Sequence, residues 1–204
     1  MKKSLSVVIA FFIIISCYSQ SVSDLRSSGF AKIQKQDFKG ALADLSKVVS
    51  ASPKDAEAFA AIGLANLMLD DYNGALKNLD KAIELQPIPD YYYLRGLTRS
   101  RLKDDKGALA DLNTFIGNGS ENSDAYILRA TAKQNLADLR GAIDDYTKVI
   151  EIDPKNSEAF LLRGLAKIMV NPNDYNKAWC SDFEAAIRLG HPSALDQKIS
   201  SGCK

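Results

Sequence analysis

From about residue 22 onward, apolar and small residues recur three and four positions apart, which is the spacing of one face of an α-helix. These helical segments come in pairs that fill units of about 34 residues. Counted from the start of each unit, positions 4, 7, 8 and 11 share one face of the first helix, and positions 20, 23, 24 and 27 share one face of the second. The pattern predicts an all-α protein of antiparallel helix pairs.

The pairs follow one another at a nearly constant interval, which indicates a repeat protein. A small residue at position 8 recurs after 34, 33, 34 and 34 residues, at Gly29, Gly63, Gly96, Ala130 and Gly164. Alanine at position 20 recurs at Ala41, Ala75, Ala108, Ala142 and Ala178. Proline precedes the next first helix at Pro53, Pro87 and Pro154, and Ser120 takes its place once.

These residues resemble the tetratricopeptide repeat, whose pattern is W-x2-L-G-x2-Y, then A-x3-F, then P. Residues 56–87 match it with Phe59, Ile62, Gly63, Ala75, Leu79, Ala82 and Pro87, and residues 123–154 match it with Tyr126, Ala130, Ala142, Tyr146 and Pro154. The resemblance implies a solenoid of five repeats that forms a right-handed superhelix with a concave side. The expected boundaries are 22–55, 56–88, 89–122, 123–156 and 157–191, followed by a capping helix and tail at 192–204.

An aspartate stands before the second helix of every repeat, where its carboxylate can accept hydrogen bonds from free amides. These residues are Asp37, Asp71, Asp104, Asp138 and Asp174. The fifth repeat is irregular, with two extra residues before Asp174, and terminal repeats are expected to be atypical. Residues 193–196 are typical of a capping box, which predicts a final helix with Ala194, Leu195 and Ile199 on one side.

Three repeats place arginine at position 7 and aspartate at position 23, on faces that meet within one helix pair. The second repeat has neutral residues at both positions, Ile62 and Asn78, whereas the first has Ser28 and Asp44. A row of arginines could instead bind an anionic ligand, but outward-facing arginines would need no matched aspartates. The pattern therefore favours structural ion pairs between Arg95 and Asp111, Arg129 and Asp145, and Arg163 and Asp182.

Composition and charge limit the kinds of partner that the chain is expected to bind. The chain is 46% hydrophobic and 25% charged, as soluble proteins are, and its formal charge is +1. Without Lys2 and Lys3, 24 basic and 25 acidic residues remain. This balance creates no long-range field for nucleic acid or an anionic membrane surface, so both are excluded as primary partners.

The family resemblance implies a protein or peptide partner on the concave face, at positions 2, 5, 9 and 12 of each first helix, which we call the inner-face positions. The family's carboxylate clamp of Lys, Asn and Arg is missing at positions 5 and 9. An apolar floor beside acids at position 2 (Glu57, Asp90, Asp124 and Glu158) fits a peptide with apolar anchors and some positive charge. Alternatively, these apolar residues are buried between neighbouring first helices. The candidates at positions 5 and 9 are Arg26, Phe30, Ala60, Leu64, Tyr93, Leu97, Ile127, Thr131, Leu161 and Leu165.

The sequence contains few candidate catalytic residues. His191 is the single histidine, which excludes a histidine-based metal cluster or a relay of several histidines. Paired carboxylates such as Asp104 and Asp105 fall at helix starts or on solvated faces, and no glycine loop for phosphate is present. We therefore expect no enzyme activity, no cofactor and no metal site.

The N-terminus has the proportions of a secretory signal peptide at residues 1–19, with a basic start and a short apolar run. The alternatives are a buried helix or a short anchor. Residues 14–17 resemble a lipobox, in which cleavage before Cys17 would leave Cys17 as the lipidated first residue. Alternatively, cleavage occurs before Gln20. We expect membrane attachment only through a lipid on Cys17. Export predicts an oxidising environment, in which Cys180 and Cys203 either form a disulfide or remain unpaired thiols.

These features predict an exported, non-catalytic scaffold of the bacterial cell envelope that binds another protein, located in the periplasm or at the outer membrane, or secreted. The alternative is a lipid-anchored structural component of an outer-membrane or secretion assembly that uses its convex face or its ends. The sequence leaves the partner and the oligomeric state open.

Overall fold

A computed structural model describes residues 21–174 and 177–203. Within these residues the chain forms eleven α-helices and no strand. The predicted leader and Cys17 lie outside the described residues. The first helix, α1, covers residues 21–34. The others are α2 (Phe38–Ala51), α3 (Ala56–Met68), α4 (Tyr72–Leu85), α5 (Pro89–Arg101), α6 (Asp105–Gly117), α7 (Ser123–Asn135), α8 (Leu139–Ile152), α9 (Ser157–Val170), α10 (Cys180–Arg188) and α11 (Ala194–Ser200).

The chain divides into two compact units, the first ending at Thr98 and the second beginning at Arg99, within α5. In each unit, neighbouring repeats share a core. In the first unit, Leu45 and Val48 of α2 pack with Ile62 of α3. In the second unit, Tyr146 of α8 packs with alanines of α7 and α9. A single helix pair could not bury its apolar face alone, so each pair depends on the next for its core.

The small residue at position 8 allows the two helices of a repeat to approach closely. A Cβ on Gly63 would lie 2.6 Å from Leu79 Cγ, and one on Gly164 would lie 2.7 Å from Phe183 Cε1. Leu79 and Phe183, at position 24, are both fully buried. Position 8 is therefore small because the side chain at position 24 fills the space beside it.

The turn between the two helices has the same geometry in the first four repeats. In the fourth repeat, Ala137 has a left-handed backbone with φ 65°, and its N–H donates to Gln134 O while Asp138 N donates to Lys133 O. This is the Schellman arrangement, which closes a helix. Asp138 then accepts a hydrogen bond from Gly141 N at 3.0 Å and caps α8. The capping role is confirmed at the equivalent residues Asp37, Asp71 and Asp104.

Replacing Ala137 with glycine is expected to stabilise the second unit by roughly 0.5–1 kcal/mol. A left-handed conformation costs alanine about 1–2 kcal/mol, and the greater freedom of glycine in the unfolded chain offsets about 0.4–1 kcal/mol of the gain. Urea unfolding measures the change. The matched control is Ala132→Gly, at a buried position inside α7, which should destabilise. Destabilisation by Ala137→Gly would show that the turn is not strained.

The C-terminal end differs from the sequence-based expectation at Asp174 and at Ser193. The second helix of the fifth repeat, α10, begins at Cys180, and Asp174 accepts from Ala178 N at 3.2 Å without being its N-cap. In the other repeats, the N–H that donates to the capping aspartate belongs to a glycine. In the fifth repeat that position is Lys177, whose φ is 46°. The predicted capping box is wrong, because Ser193 has a helical backbone and makes no side-chain hydrogen bond to α11.

Candidate functional site

The buried aspartate of the fourth repeat binds two cations at once. Asp145 accepts from Arg129 Nε at 2.9 Å and from Arg129 Nη2 at 2.6 Å, and Lys133 Nζ lies 2.8 Å from Asp145 Oδ2. The Asp145 side chain is only 5% exposed, and both cationic side chains are 16% exposed. We call the residues at positions 7, 11 and 23 of one repeat its charge cluster. Bidentate contact and low exposure make this cluster part of the interior.

The fifth repeat repeats this arrangement. Arg163 Nη2 lies 2.6 Å from Asp182 Oδ1, and Lys167 Nζ lies 2.7 Å from Asp182 Oδ2. Arg163 also donates to Thr147 Oγ1 of α8 at 3.2 Å. Its guanidinium carbon lies 5.6 Å from the centre of the Phe160 ring, at position 4. One arginine thus joins its own repeat to the preceding one.

The first unit shows the same contacts in parts. In the first repeat, Lys32 and Ser28 donate to Asp44 at 2.6 and 2.7 Å. These two hydrogen bonds, Lys32 first, hold the pKa of the Asp44 carboxyl below its ordinary value. Arg95 Nη1 donates to Asp80 Oδ1 of α4 at 2.7 Å. Its predicted partner, Asp111, belongs to the second unit, where it accepts from Arg99 Nη1 at 2.7 Å, and the pairing of Arg95 with Asp111 stays a prediction.

Sequence reasoning missed the cation at position 11. That position holds Lys32, Arg99, Lys133 and Lys167 in the four repeats that have aspartate at position 23. The second repeat has Asn66 there and Asn78 at position 23, with Ile62 at position 7. Positions 11 and 23 are therefore charged together or neutral together in all five repeats. This matching was visible in the sequence and could have identified the second cation.

The inner-face candidates differ in exposure. Ala60 and Leu161 are buried, at 5% and 7%. Thr131 is exposed on α7. The other candidates are partly exposed: Arg26, Phe30, Leu64, Tyr93, Leu97, Ile127 and Leu165. Phe30, Leu97 and Leu165 each pack against a core cluster with part of their surface, so the inner-face positions combine core packing with exposed apolar area.

Two of the four acids at position 2 already have partners. Arg26 Nε donates to Asp55 Oδ2 at 2.9 Å, and its Nη2 contacts Glu57. His191 Nε2 lies 2.7 Å from Glu158 Oε2, while His191 Nδ1 accepts from a backbone N–H. This tautomer makes Nε2 the donor to Glu158. The predicted row of acids is therefore reduced to Asp90 and Asp124, which are exposed.

At the C-terminal end, a disulfide bond joins Cys180 of α10 to Cys203, with 5.6 Å between their Cα atoms. Both cysteines pack against a cluster that includes Trp179 and Phe183. Ala194 of α11 is fully buried in this cluster. Of the three residues predicted to share one side of α11, only Ala194 is buried, whereas Leu195 and Ile199 are 54% and 66% exposed.

Two further observations concern only residues 21–174 and 177–203. None of the helices formed by these residues is both long enough and apolar enough to span a membrane. They contain no group of three or more His, Cys, Asp or Glu side chains placed to hold a metal ion.

Stacked helix pairs with buried interhelical charge clusters define an α-helical repeat scaffold. The tetratricopeptide repeat profile matches residues 56–89 and 123–156, which correspond to the second and fourth helix pairs. Residues 56–89 and 123–156 are therefore tetratricopeptide repeats, and the chain has the all-α solenoid fold that such repeats form. A comparison with curated proteins gave no match.

Solved structures share the fold at low sequence identity. YrrB, a TPR protein with an unusual peptide-binding site, is 21% identical and has a TM-score of 0.80, covering 93% of this chain and 98% of its own. A MamA crystal structure is 22% identical with a TM-score of 0.76, covering 91% and 98%. MamA from Desulfovibrio magneticus RS-1, from residue 41 to its end, is 22% identical with a TM-score of 0.76, covering 83% and 94%. Identities this low show the fold alone.

Proposed function

We propose that this chain is a non-catalytic scaffold that binds a protein or peptide through its inner-face positions. One observation carries the proposal. At position 9 of the first helix, four of the five repeats hold a large apolar side chain that remains partly exposed: Phe30, Leu64, Leu97 and Leu165. Within the first unit, Phe30, Leu64 and Leu97 stand at this position in three successive repeats, and such a series can contact the apolar side chains of a peptide.

The charge clusters support this assignment because their charged side chains are already engaged in internal contacts. Arg129 and Arg163, at position 7, donate to buried aspartates, so they are occupied by structural contacts. Arg26 and His191 engage two of the inner-face acids. What the inner-face positions offer a partner is therefore mainly apolar area, with Asp90 and Asp124 as exposed acids. YrrB shows that a protein of this fold can hold a peptide-binding site.

A partner captured from an envelope fraction should be lost when the inner-face positions are altered. Thr131→Arg places a long cation at an exposed inner-face position, and Leu97→Glu places a charge at a partly exposed one. We expect at least about a 30-fold weaker dissociation constant for each with the purified partner, as for a residue central to an interface. Lys148→Glu, which reverses an exposed charge on α8, is the matched control and should bind normally.

Unchanged circular dichroism melting must accompany the loss, because Leu97 also packs against Leu67 and Leu79. Normal binding by both folded variants, Thr131→Arg and Leu97→Glu, would contradict the use of the inner-face positions.

We also propose export to the bacterial periplasm or outer membrane, on the strength of the leader pattern at residues 1–19. In the second candidate function, a lipid on Cys17 anchors the chain in an envelope assembly and the partner binds an end of the array. The exposed Leu195 and Ile199 of α11 favour that alternative, because apolar side chains on a terminal helix are unusual where solvent covers the end. The intact mass of the mature protein distinguishes a lipidated Cys17 from cleavage before Gln20.

A further inference from the structure

A pocket of about 500 Å³ lies beside Phe59, on the side of α3 that faces α4. It belongs entirely to the first unit, and none of its lining residues occupies an inner-face position. Apart from Phe59, the residues that line it are polar or charged, although most of the lining area is apolar. The lining residues are Phe59, Lys77, Asn78, Asp80, Lys81 and Glu84.

In the later repeats, an arginine stacks on the ring that corresponds to Phe59. Position 4 is aromatic in each of them, and the arginine at position 7 of the same repeat stacks on it. The guanidinium carbon lies 5.3–5.6 Å from the ring centre in these pairs, which is within cation–π range. The three pairs are Arg95 on Tyr92, Arg129 on Tyr126 and Arg163 on Phe160.

The second repeat keeps the aromatic ring and lacks the arginine. Position 7 is Ile62, which is 5% exposed and packs with Leu45 and Val48 of α2. A branched aliphatic side chain of this length fills the inner part of the site and cannot extend over the ring. In the described part of the chain, no cationic side chain stacks on Phe59. The ring therefore borders an open pocket instead of an internal guanidinium.

We propose that the pocket beside Phe59 binds the guanidinium group of an arginine side chain from a partner protein. The ring face of Phe59 offers the stacking surface that the later repeats use internally. Asp80 and Glu84, whose side chains are 56% and 68% exposed, supply carboxylates; these already bind Arg95 Nη1 and Lys81 Nζ, so the incoming guanidinium would share them. Asn78 uses its Nδ2 to donate to Gly74 O, so the group that it can offer a ligand is its carbonyl oxygen.

Local geometry, not net charge, makes the pocket selective. The cations Lys77, Lys81 and Arg95 outnumber the carboxylates Asp80 and Glu84. Lys81 lies 2.9 Å from Glu84 Oε1, and Arg95 Nη1 lies 2.7 Å from Asp80 Oδ1. A planar guanidinium can stack on the ring and donate along its edge to a carboxylate and an amide oxygen at once. A lysine ammonium has no plane to stack, and a neutral citrulline keeps the shape without the charge.

The test is an NMR titration with acetyl-Gly-Arg-Gly-amide, compared with the matching lysine, citrulline and leucine peptides. A pocket for one side chain should bind the arginine peptide with a dissociation constant on the order of millimolar. Shifts should concentrate at the amides of Phe59 and of residues 77–84. The lysine, citrulline and leucine peptides should bind at least about fivefold more weakly.

Two variants of the chain test the role of the ring and the effect of an internal arginine. Phe59→Leu keeps an apolar side chain and removes the ring, and should weaken the arginine peptide at least about fivefold. The double variant Ile62→Arg/Asn78→Asp reproduces positions 7 and 23 of the later repeats, so its own arginine should stack on Phe59 and block the peptide. The inner-face variant Thr131→Arg should leave this titration unchanged, so failure of the pocket and failure of the proposed function are distinguishable.

Equal binding of the leucine or citrulline peptide would overturn the proposal in favour of an apolar site. Equal binding of the lysine peptide would overturn the guanidinium specificity. An unaltered response in folded Phe59→Leu, or no saturable shifts at residues 59 and 77–84, would also refute it. If the double variant fails to fold, Phe59→Leu decides the question.

Discussion

Asp145→Asn is expected to lower the free energy of unfolding of the second unit by about 3–5 kcal/mol. The change removes one negative charge and leaves Arg129 and Lys133, both 16% exposed, without their shared counter-ion. The amide nitrogen of asparagine would also face a donor in place of one carboxylate oxygen. Because the Asp145 side chain is only 5% exposed, little water reaches the two cations to compensate for the lost negative charge.

The chain itself supplies the matched control. The second repeat has Ile62, Asn66 and Asn78 at the three positions of the charge cluster. The triple variant Arg129→Ile/Lys133→Asn/Asp145→Asn therefore transfers a neutral set that already packs within this protein. Replacing a whole buried ion cluster is often neutral, so we expect the triple variant to lie within about 1.5 kcal/mol of the wild type.

Urea unfolding followed by circular dichroism measures all three proteins, and hydrogen exchange of the α7 and α8 amides locates the loss. The decisive comparison is between the single and the triple variant. A cost below about 1 kcal/mol for Asp145→Asn would mean that the cluster is effectively solvated. A triple variant less stable than the single one would mean that the charges themselves, and not their balance, hold the helices together.

The sequence was sufficient to predict helix pairing and the contacts inside one pair. Arg129 and Asp145 meet because positions 7 and 23 face each other across a short turn, and Arg163 and Asp182 meet for the same reason. The caps were predictable for a related reason, because Asp138 lies only three residues before the amide that it accepts from. These contacts depend on local geometry, which a 34-residue period specifies.

Contacts between repeats were not predictable in the same way. Arg129 also donates to Asn113 of α6 and Arg163 to Thr147 of α8, at 3.1 and 3.2 Å. Both acceptors stand at position 25 of the preceding repeat, and which side chain reaches them depends on how the pairs stack. Since Asn113 and Thr147 differ in chemistry, no charge pattern along the chain identifies them as partners.

The end of the array shows a different limit. The interpretation of Ser193 as a capping residue relied on residue type alone, whereas its backbone is helical and its N–H donates to His191 Nδ1. For a seven-residue helix, three apolar positions do not decide which side is buried. Ala194 is buried because it lies against Trp179 and Phe183, and Ile199, five residues further on, is exposed.

Loss of the Cys180–Cys203 disulfide is expected to destabilise the C-terminal end by about 3 kcal/mol. The bond closes a loop with a sequence separation of 23, and constraint of a loop of this length in the unfolded chain contributes about 3 kcal/mol in the chain-entropy estimate. The bond has a large effect at this end because α11 has only seven residues and buries little besides Ala194. Without the bond, α11 should leave α10 well before the rest of the second unit unfolds.

Trp179 reports this opening directly. It is the single tryptophan of the chain, it is 3% exposed, and it precedes Cys180 in the cluster that α11 covers. We expect reduction of the wild type, and Cys203→Ala without reductant, to shift tryptophan emission to the red at a lower urea concentration by the same amount. Cys203→Ala should not respond further to reductant, which separates bond loss from side-chain loss. Identical unfolding of the oxidised and reduced wild type would show that packing around Ala194, and not the bond, holds the end of the array closed.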